Sequence, residues 1–319
     1  MAPKADVYAV RVFGCAGQTN VVAEAIDWAL ANGMDVISMS LGSNFGAVGN
    51  DDAGSLAEAA AVANAAAAGI LVVAASGNAG QIPYITSAPA VYEGAISVAA
   101  TDALPGIPTA SLALSSGPTL SVQNSNSAVF ANGTAYSVRV LRNADGTVSL
   151  GCNPSEYDPA VTGVSLAGKM VVTLRGTCAR TFRAGAAQHF GAAAAAMINS
   201  SPGLPPYEGP IAGGASDPNA GNIYEPVVIP FFGVAQADSA ALSGPAGGPA
   251  PASAVATSTG VAANAGFERI ASFSSGGPRI GDSVLRPGIT APGASVISAA
   301  SGTGNGFQIL SGTSMATPN

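Results

Sequence analysis

The sequence has few charged side chains, and basic ones are the scarcer kind. Only 9% of the 319 residues are Asp, Glu, Lys or Arg, and 11 Lys and Arg against 18 Asp and Glu give a net charge of −7 at pH 7. No run of Lys or Arg interrupts this balance. Nucleic acid and anionic membranes are therefore excluded as expected partners.

Long apolar runs are also lacking. The most apolar stretch, residues 65–75, is too short and too interrupted for a membrane span, and the N-terminus lacks the basic-then-apolar order of a signal peptide. Small polar residues must instead form the surface, a composition common in exported bacterial proteins that leaves the location open. Hydrophobic residues still make up 48%, enough for a sizeable core, and the length predicts two globular units.

The chain has only three cysteines, and none belongs to a metal-binding pattern. No CxxC motif or Cys/His cluster is present, so we expect no zinc site. Cys152 and Cys178 flank one predicted strand and would form a disulfide in an exported protein, leaving Cys15 unpaired. Three buried free thiols are the alternative.

Helix and strand patterns alternate over the first hundred residues. Strands are predicted at 6–13, 35–42, 70–78 and 94–100, and helices at 19–33 and 51–69. Thr19 or Asn20 would cap the first helix, and Gly33 and Gly69 would end the two helices. Because the strands are continuous apolar runs, the order predicts an α/β layer with a parallel sheet buried on both faces.

The pattern changes after about residue 110, which predicts a smaller inserted domain. Within it we expect a strand at 167–178, a helix at 183–200, and a strand with a short helix at 227–242. Residues 244–262 have low complexity and would form a linker, although 253–260 would equally serve as a terminal strand of the insert. The α/β pattern resumes from Phe267.

The closing segment ILSGTSMATPN places Ser314 among small side chains at the start of a predicted helix. Gly312 permits a tight turn there, and the free amides of a helix N-terminus suit the stabilisation of an oxyanion. Taken alone, the pattern favours an ordinary N-cap serine, because Ser is a preferred cap residue wherever helices begin.

Five segments together resemble the subtilisin-like serine proteases (subtilases). They are ILSGTSMATP, ILVVAASGN, GMDVISMSLG, MAPKADVYAVRVFG and RPGITAPGASVISA, and they occur in family order. The intervening GKMVVTLRGTC and RAGAAQHFGAAAAAMINS are similar to the protease-associated (PA) domain that some subtilases carry as an insert. The resemblance implies a subtilisin-like catalytic domain at 1–112 and 260–319, interrupted by a PA domain at 120–245.

The resemblance also implies a role for individual residues. Ser314 matches the nucleophile of an acyl-enzyme mechanism, and Asn78 matches the side-chain donor to the oxyanion. The implied substrate-binding residues are Ser40, Leu41 and Gly42 along the substrate backbone, Ala75, Ser76 and Gly77 in the P1 pocket, and Thr313 beside the nucleophile.

The sequence departs from the family in its catalytic partners. The Asp and His-Gly-Thr-His motifs of a subtilase are missing, and the single histidine, His189, falls in the predicted Ala-rich helix of the insert, where we reject it as the base. Asp51 and Asp52 resemble an Asp-x-Gly motif but are expected to cap a helix. We therefore expect a piece of a longer protein, cut at both ends and inactive by itself.

Two functions remain open. The first is a secreted serine endopeptidase with peptide or protein substrates and no cofactor beyond the structural calcium that the family resemblance allows. The alternative is a non-catalytic protein that binds peptides through the cleft and the PA domain. A lipase-like α/β-hydrolase ranks below both because no G-x-S-x-G elbow surrounds Ser314. The sequence indicates neither a metal site nor an oligomeric state.

Overall fold

The structure is a computed structural model that describes residues 4–14, 17, 19–46, 53–211, 224–245, 248–300 and 304–319. The chain divides into two compact units. The first unit is formed by Met1–Ala103, Gly266–Val296 and Ser311–Asn319, and the second unit by Leu104–Ala265 and Ile297–Leu310.

Six helices and thirteen strands are assigned within the described residues. The helices are α1 Val22–Ala31, α2 Ala53–Ala67, α3 Pro159–Thr162, α4 Arg180–His189, α5 Ser239–Ser243 and α6 Thr313–Ala316, with 3-10 turns at Pro154–Glu156 and Gln236–Asp238. The strands are β1 Val36–Met39, β2 Leu71–Ala75, β3 Ala95–Asp102, β4 Gly106–Leu114, β5 Thr119–Asn124, β6 Thr134–Val140, β7 Lys169–Leu174, β8 Ala194–Ile198, β9 Phe231–Val234, β10 Ser253–Ala263, β11 Ile289–Ala294, β12 Val296–Ala299 and β13 Phe307–Leu310. Strands β12 and β13 form a separate two-stranded sheet.

The first unit contains the predicted α/β layer. Its sheet has the strand order β1-β2-β3-β11, and all three strand pairs are parallel. Residues of α1 and α2, among them Ile26 and Val62, pack with Val72 and Ala74 in one buried cluster. This packing explains why both helices carry an apolar stripe.

The first two helices end before the predicted glycines, but the predicted N-cap of α1 and the predicted strand at 6–13 were wrong. Gly33 and Gly69 follow α1 and α2 with φ of +65° and +92°, a conformation that suits glycine. No side chain caps α1, whose N-cap is Val21. Residues 6–13 form no strand, because no described strand pairs with them, and Val7 is 89% exposed. The predicted caps Asp51 and Asp52 lie outside the described residues.

The second unit is a closed barrel with strand order β10-β4-β5-β9-β8-β7-β6. Strands β6 to β9 pair in parallel, and β4, β5 and β10 add antiparallel pairs. Its interior is a cluster of fully buried aliphatic and aromatic side chains that includes Leu112, Val172, Ile198 and Phe232. The predicted insert, residues 120–245, falls within this unit, as do β4 and β10.

The structure decides three expectations about the second unit. The alanine-rich segment after Gly191 forms the buried strand β8 rather than a continuation of α4, because its small side chains fit between β7 and β9. Of the two readings of 253–260, the strand is correct, since β10 pairs with β4 and β6. Cys152 and Cys178 form the expected disulfide, with Cα atoms 5.6 Å apart, whereas Cys15 lies outside the described residues.

Candidate active site

Ser314 lies in the first turn of α6, at the carboxyl end of β1. Its Oγ donates a hydrogen bond to the carbonyl of Ser40 over 3.1 Å, and the Ser40 hydroxyl donates to the Ser314 carbonyl over 2.6 Å. The two serines, 274 residues apart in the sequence, therefore hold each other through reciprocal bonds. This is the edge of an open parallel sheet where α/β proteins place their sites.

Asn78 follows β2 and is oriented by the residue before Ser314. The Thr313 N–H and hydroxyl both donate to Asn78 Oδ1, over 2.8 and 3.2 Å, and the Gly77 N–H donates to Thr313 Oγ1 over 3.1 Å. Because a backbone N–H can only donate, it fixes which end of the carboxamide is the oxygen. Asn78 Nδ2 makes no hydrogen bond with the described residues, so its two protons are free to donate.

The turn that carries Asn78 is held by Ser275, a residue that the sequence did not single out. Ser275 N–H donates to the Gly77 carbonyl over 2.9 Å, and the Ala79 N–H donates to Ser275 Oγ over 3.0 Å. Ser275 is 1% exposed. The serine thus fixes the backbone on both sides of Asn78. Its only signal in the sequence is a run of small residues, SSGG, similar in texture to the segment around Ser314.

Two glycines let these segments approach closely. Gly77 has φ of +104°, and a Cβ on it would lie 2.7 Å from Ser275 Oγ. A Cβ on Gly293, near the end of β11, would lie 2.5 Å from Ala100 Cβ and 2.9 Å from the carbonyl oxygen of Gly312. The Gly312 N–H donates to the Gly293 carbonyl over 2.8 Å, which ties the turn before Ser314 to the sheet.

Six of the seven predicted substrate-binding residues lie in two segments, 40–42 directly after β1 and 75–77 at the end of β2, and the seventh, Thr313, is the first residue of α6. Ser40 and Gly42 are exposed, and Leu41 and Gly42 make no backbone hydrogen bond with the described part of the chain. A Cβ on Gly42 would lie 2.8 Å from the Ala88 carbonyl, so this edge has no room for a side chain there. Ala75 and Ser76 are buried and lead into the Gly77 turn, with Ser76 donating its N–H to the Val98 carbonyl over 3.0 Å.

No general base accompanies Ser314 within the described ranges. There the Ser314 hydroxyl has neither an imidazole nor a carboxylate as a hydrogen-bond acceptor. His189 belongs to the second unit, where its Nδ1 lies 3.7 Å from Glu225 Oε2 and its ring packs against Tyr224. Its side chain is 46% exposed, as expected for a surface imidazole.

A large cavity in the first unit is distinct from these polar contacts. It has a volume of about 870 Å³ and is lined mainly by apolar side chains, such as Val7, Trp28, Val36 and Ile96. Neither Ser314 nor Asn78 is among the lining residues. Within the described ranges, no helix is long and apolar enough to cross a membrane, and no group of three His, Cys, Asp or Glu side chains could hold a metal ion.

Comparison with known proteins identifies relatives of the chain. The model of the subtilase family (Peptidase_S8) matches residues 1–319. The chain is 42% identical over 106 residues to alkaline elastase YaB from Bacillus sp. (strain YaB), a match that covers 32% of this chain and 25% of that protein. It is 43% identical over 106 residues to subtilisin Savinase from Lederbergia lenta, covering 32% and 35%. The chain thus spans a quarter to about a third of the length of these relatives.

Among solved structures, the chain is similar to sphericase. The identity is 19%, the TM-score is 0.39, and the match covers 99% of this chain and 52% of that one.

Proposed function

Because the chain belongs to the subtilase family, we propose that it is part of a serine endopeptidase that hydrolyses peptide bonds through an acyl-enzyme on Ser314. The observation that carries this proposal is the bond from the Thr313 N–H to Asn78 Oδ1, 2.8 Å long, beside Ser314. This bond occupies the carboxamide oxygen and leaves Nδ2 as a free donor on a side chain held by the residue before Ser314. A side-chain amide in that state suits a developing oxyanion.

In the proposed mechanism Ser314 Oγ attacks the scissile carbonyl, and negative charge develops on the carbonyl oxygen. Asn78 Nδ2 and the Ser314 backbone N–H would donate to that oxygen. Thr313 and Ser275 hold Asn78 and its turn before the reaction, and the first turn of α6 holds the Ser314 N–H, so little reorganisation is required when the charge develops. Ser40, Leu41 and Gly42 would pair with an extended substrate backbone, and Ala75, Ser76 and Gly77 would line the pocket for the side chain.

Removal of the serine proton requires a base, and the present partner of the hydroxyl cannot act as one. A backbone carbonyl such as that of Ser40 is far too weak a base, whereas the triad mechanism uses a histidine oriented by an aspartate. We propose that these two groups come from residues outside this sequence and that the 319-residue chain is inactive without them. The second unit is proposed to be a PA-like insert, and the disulfide favours an extracellular location.

The lack of a base beside Ser314 among the described residues also favours a second candidate, a peptide-binding protein without catalysis. The two candidates differ in what happens when the missing groups are supplied. A binder would remain inert even then, whereas a protease would gain peptide hydrolysis.

The test is to join the chain to a subtilase segment that carries the Asp and His motifs and to measure peptide hydrolysis. Asn78→Ala in this joined protein should lower kcat by about 10²–10³ with little change in KM, because its bond forms fully only in the transition state. Asn32→Ala, which removes an exposed asparagine at the end of α1, is the matched control and should leave both constants unchanged. A rise in KM at constant kcat for Asn78→Ala would reject the oxyanion role.

A further inference from the structure

Arg175 and Arg180 lie at the carboxyl edge of the parallel strands in the second unit, and neither has a part in the proposed proteolysis. Arg175 directly follows β7, and its N–H continues the ladder by donating to the Ile198 carbonyl over 2.8 Å. Arg180 is the first residue of α4. Asn199, directly after β8, lies at the same edge.

Each of the two guanidinium groups has N–H donors without a hydrogen-bond partner among the described residues. Arg180 Nε donates to Glu208, a carboxylate only 3% exposed, while the Arg180 side chain itself is 15% exposed. Its two Nη atoms make no hydrogen bond with the described residues. Arg175 Nη1 donates to Asn199 Oδ1 over 3.0 Å, and its Nε and Nη2 likewise have no bonded partner in the described ranges.

A third arginine in the same cluster, Arg183, already donates hydrogen bonds to backbone carbonyls. Arg183 is 1% exposed and donates from Nε to the Leu150 carbonyl over 2.8 Å and from Nη1 to the Cys178 and Ala179 carbonyls, each over 3.1 Å. Its role is therefore structural, and it holds the two cysteine-bearing loops together. The donors available to a ligand belong to Arg175 and Arg180.

Among the described residues, the charges around this pair do not balance. Glu208 is the described carboxylate bonded to it, while the carboxylate of Glu156 is bound by the Ser149 hydroxyl and the Asn153 N–H. Burial, and next the charge of Arg180, lower the pKa of Arg175 to about 10, which still leaves it protonated at neutral pH. Within the described part of the chain, two positive charges thus share one buried carboxylate, and an additional anion would relieve their repulsion.

The geometry points to an anion-binding site at Arg175 and Arg180 that accepts the carboxylate of a peptide, either an acidic side chain or a free C-terminus. Guanidinium forks match a planar carboxylate, which can accept two parallel N–H bonds. One excess positive charge also matches a singly charged carboxylate better than a phosphate, whose charge is nearly −2 at pH 7. The site does not depend on the proposed proteolysis.

The start of α4 adds backbone donors at the same edge, although the arginines carry the proposal. The helix has ten residues, and its N-cap is Ala179, which has no side-chain oxygen to satisfy the first amides.

The test uses the 319-residue chain, uniformly ¹⁵N-labelled, and follows its amide resonances during titration with defined probes. The probes are an amidated peptide with glutamate side chains, a neutral peptide with a free C-terminus, the same neutral peptide amidated, and inorganic sulfate. We expect saturable changes in the amide chemical shifts near residues 175–180 with at least one of the two carboxylate peptides. The amidated neutral peptide should cause no such change. The peptide that binds identifies the source of the carboxylate.

Arg175→Gln should weaken that binding roughly tenfold or more, because it removes a charged donor. Lys169→Gln is the matched control: it removes one positive charge at the amino end of β7, about 20 Å along the strand, and should leave binding unchanged. Added salt should weaken the binding of the wild-type chain. Thermal melts of the variants establish that each is folded.

Three results would overturn the proposal. They are the absence of any carboxylate-dependent shift in the folded chain, an equal loss of binding in Lys169→Gln and Arg175→Gln, and tight binding of sulfate with none of the carboxylate peptides.

Discussion

Breaking the disulfide between Cys152 and Cys178 should destabilise the second unit by an amount that follows from the loop it closes. The bonded cysteines are 26 positions apart. In the chain-entropy model, closing a loop of that length lowers the conformational entropy of the unfolded chain, which raises the free energy of unfolding by about 3.5 kcal/mol at 25 °C. Arg183 contacts the Leu150 and Cys178 carbonyls independently of the bond, so the folded geometry should survive reduction. Breaking the disulfide therefore lowers the free energy of unfolding mainly by increasing the entropy of the unfolded chain.

The assay is thermal unfolding of the oxidised chain, of the chain kept reduced, and of a Cys152→Ser/Cys178→Ser double variant. For a unit of this size, about 3.5 kcal/mol corresponds to a fall in Tm of roughly 7–14 °C. Cys15→Ser serves as the control and should melt like the wild-type chain. A change of less than about 2 °C on reduction, or an equal effect of Cys15→Ser, would refute the reasoning.

Three further predictions concern the first unit. Limited proteolysis should cut it before the second unit, since apolar side chains such as Val7 and Leu71 are 89% and 55% exposed, and one resistant fragment spanning both units would contradict this. Gly293→Ala should lower the free energy of unfolding by about 1–3 kcal/mol, because the new methyl would lie 2.5 Å from Ala100 Cβ, whereas Gly288→Ala, with nothing within 4 Å, should stay within about 0.5 kcal/mol in urea unfolding. Hydrogen bonds from Arg279 lower the pKa of the Asp282 carboxyl from 3.8 to about 2, so its stabilisation is complete above pH 4 and is lost as the pH falls towards 2. In Asp282→Asn the free energy of unfolding should therefore fall less steeply between pH 4 and pH 2 than in the wild-type chain. An equally steep fall in both proteins, measured by urea unfolding at each pH, would argue against the ion pair.

The elements predicted well are those whose sequence pattern is local. Strand β2 is a continuous apolar run and helix α2 ends two residues before a glycine, and neither signal depends on distant residues. Residues 6–13 have the same apolar pattern as β2 but form no strand, because a pattern reports that a segment suits a sheet and not whether a partner is present.

Tertiary packing decided the remaining differences. The alanines of β8 have high intrinsic helix propensity, yet all five residues of the strand are buried between two neighbours, where small side chains fit. Family motifs indicated Ser314 and Asn78, which do lie together. Ser275 could not be found in this way, since its role depends on contacts with a turn 196 residues earlier in the chain.

The measurement that tests the central claim most directly is labelling of Ser314 by a fluorophosphonate, located by peptide mapping. We expect no labelling and no peptide hydrolysis by the 319-residue chain alone, because an unassisted serine hydroxyl is a weak nucleophile. Joined to a segment that supplies the Asp and His motifs, the chain should label at Ser314 and cleave peptides, and Ser314→Ala should abolish both. Ser314-dependent proteolysis by the isolated chain, or labelling of the joined protein at another residue, would contradict the account.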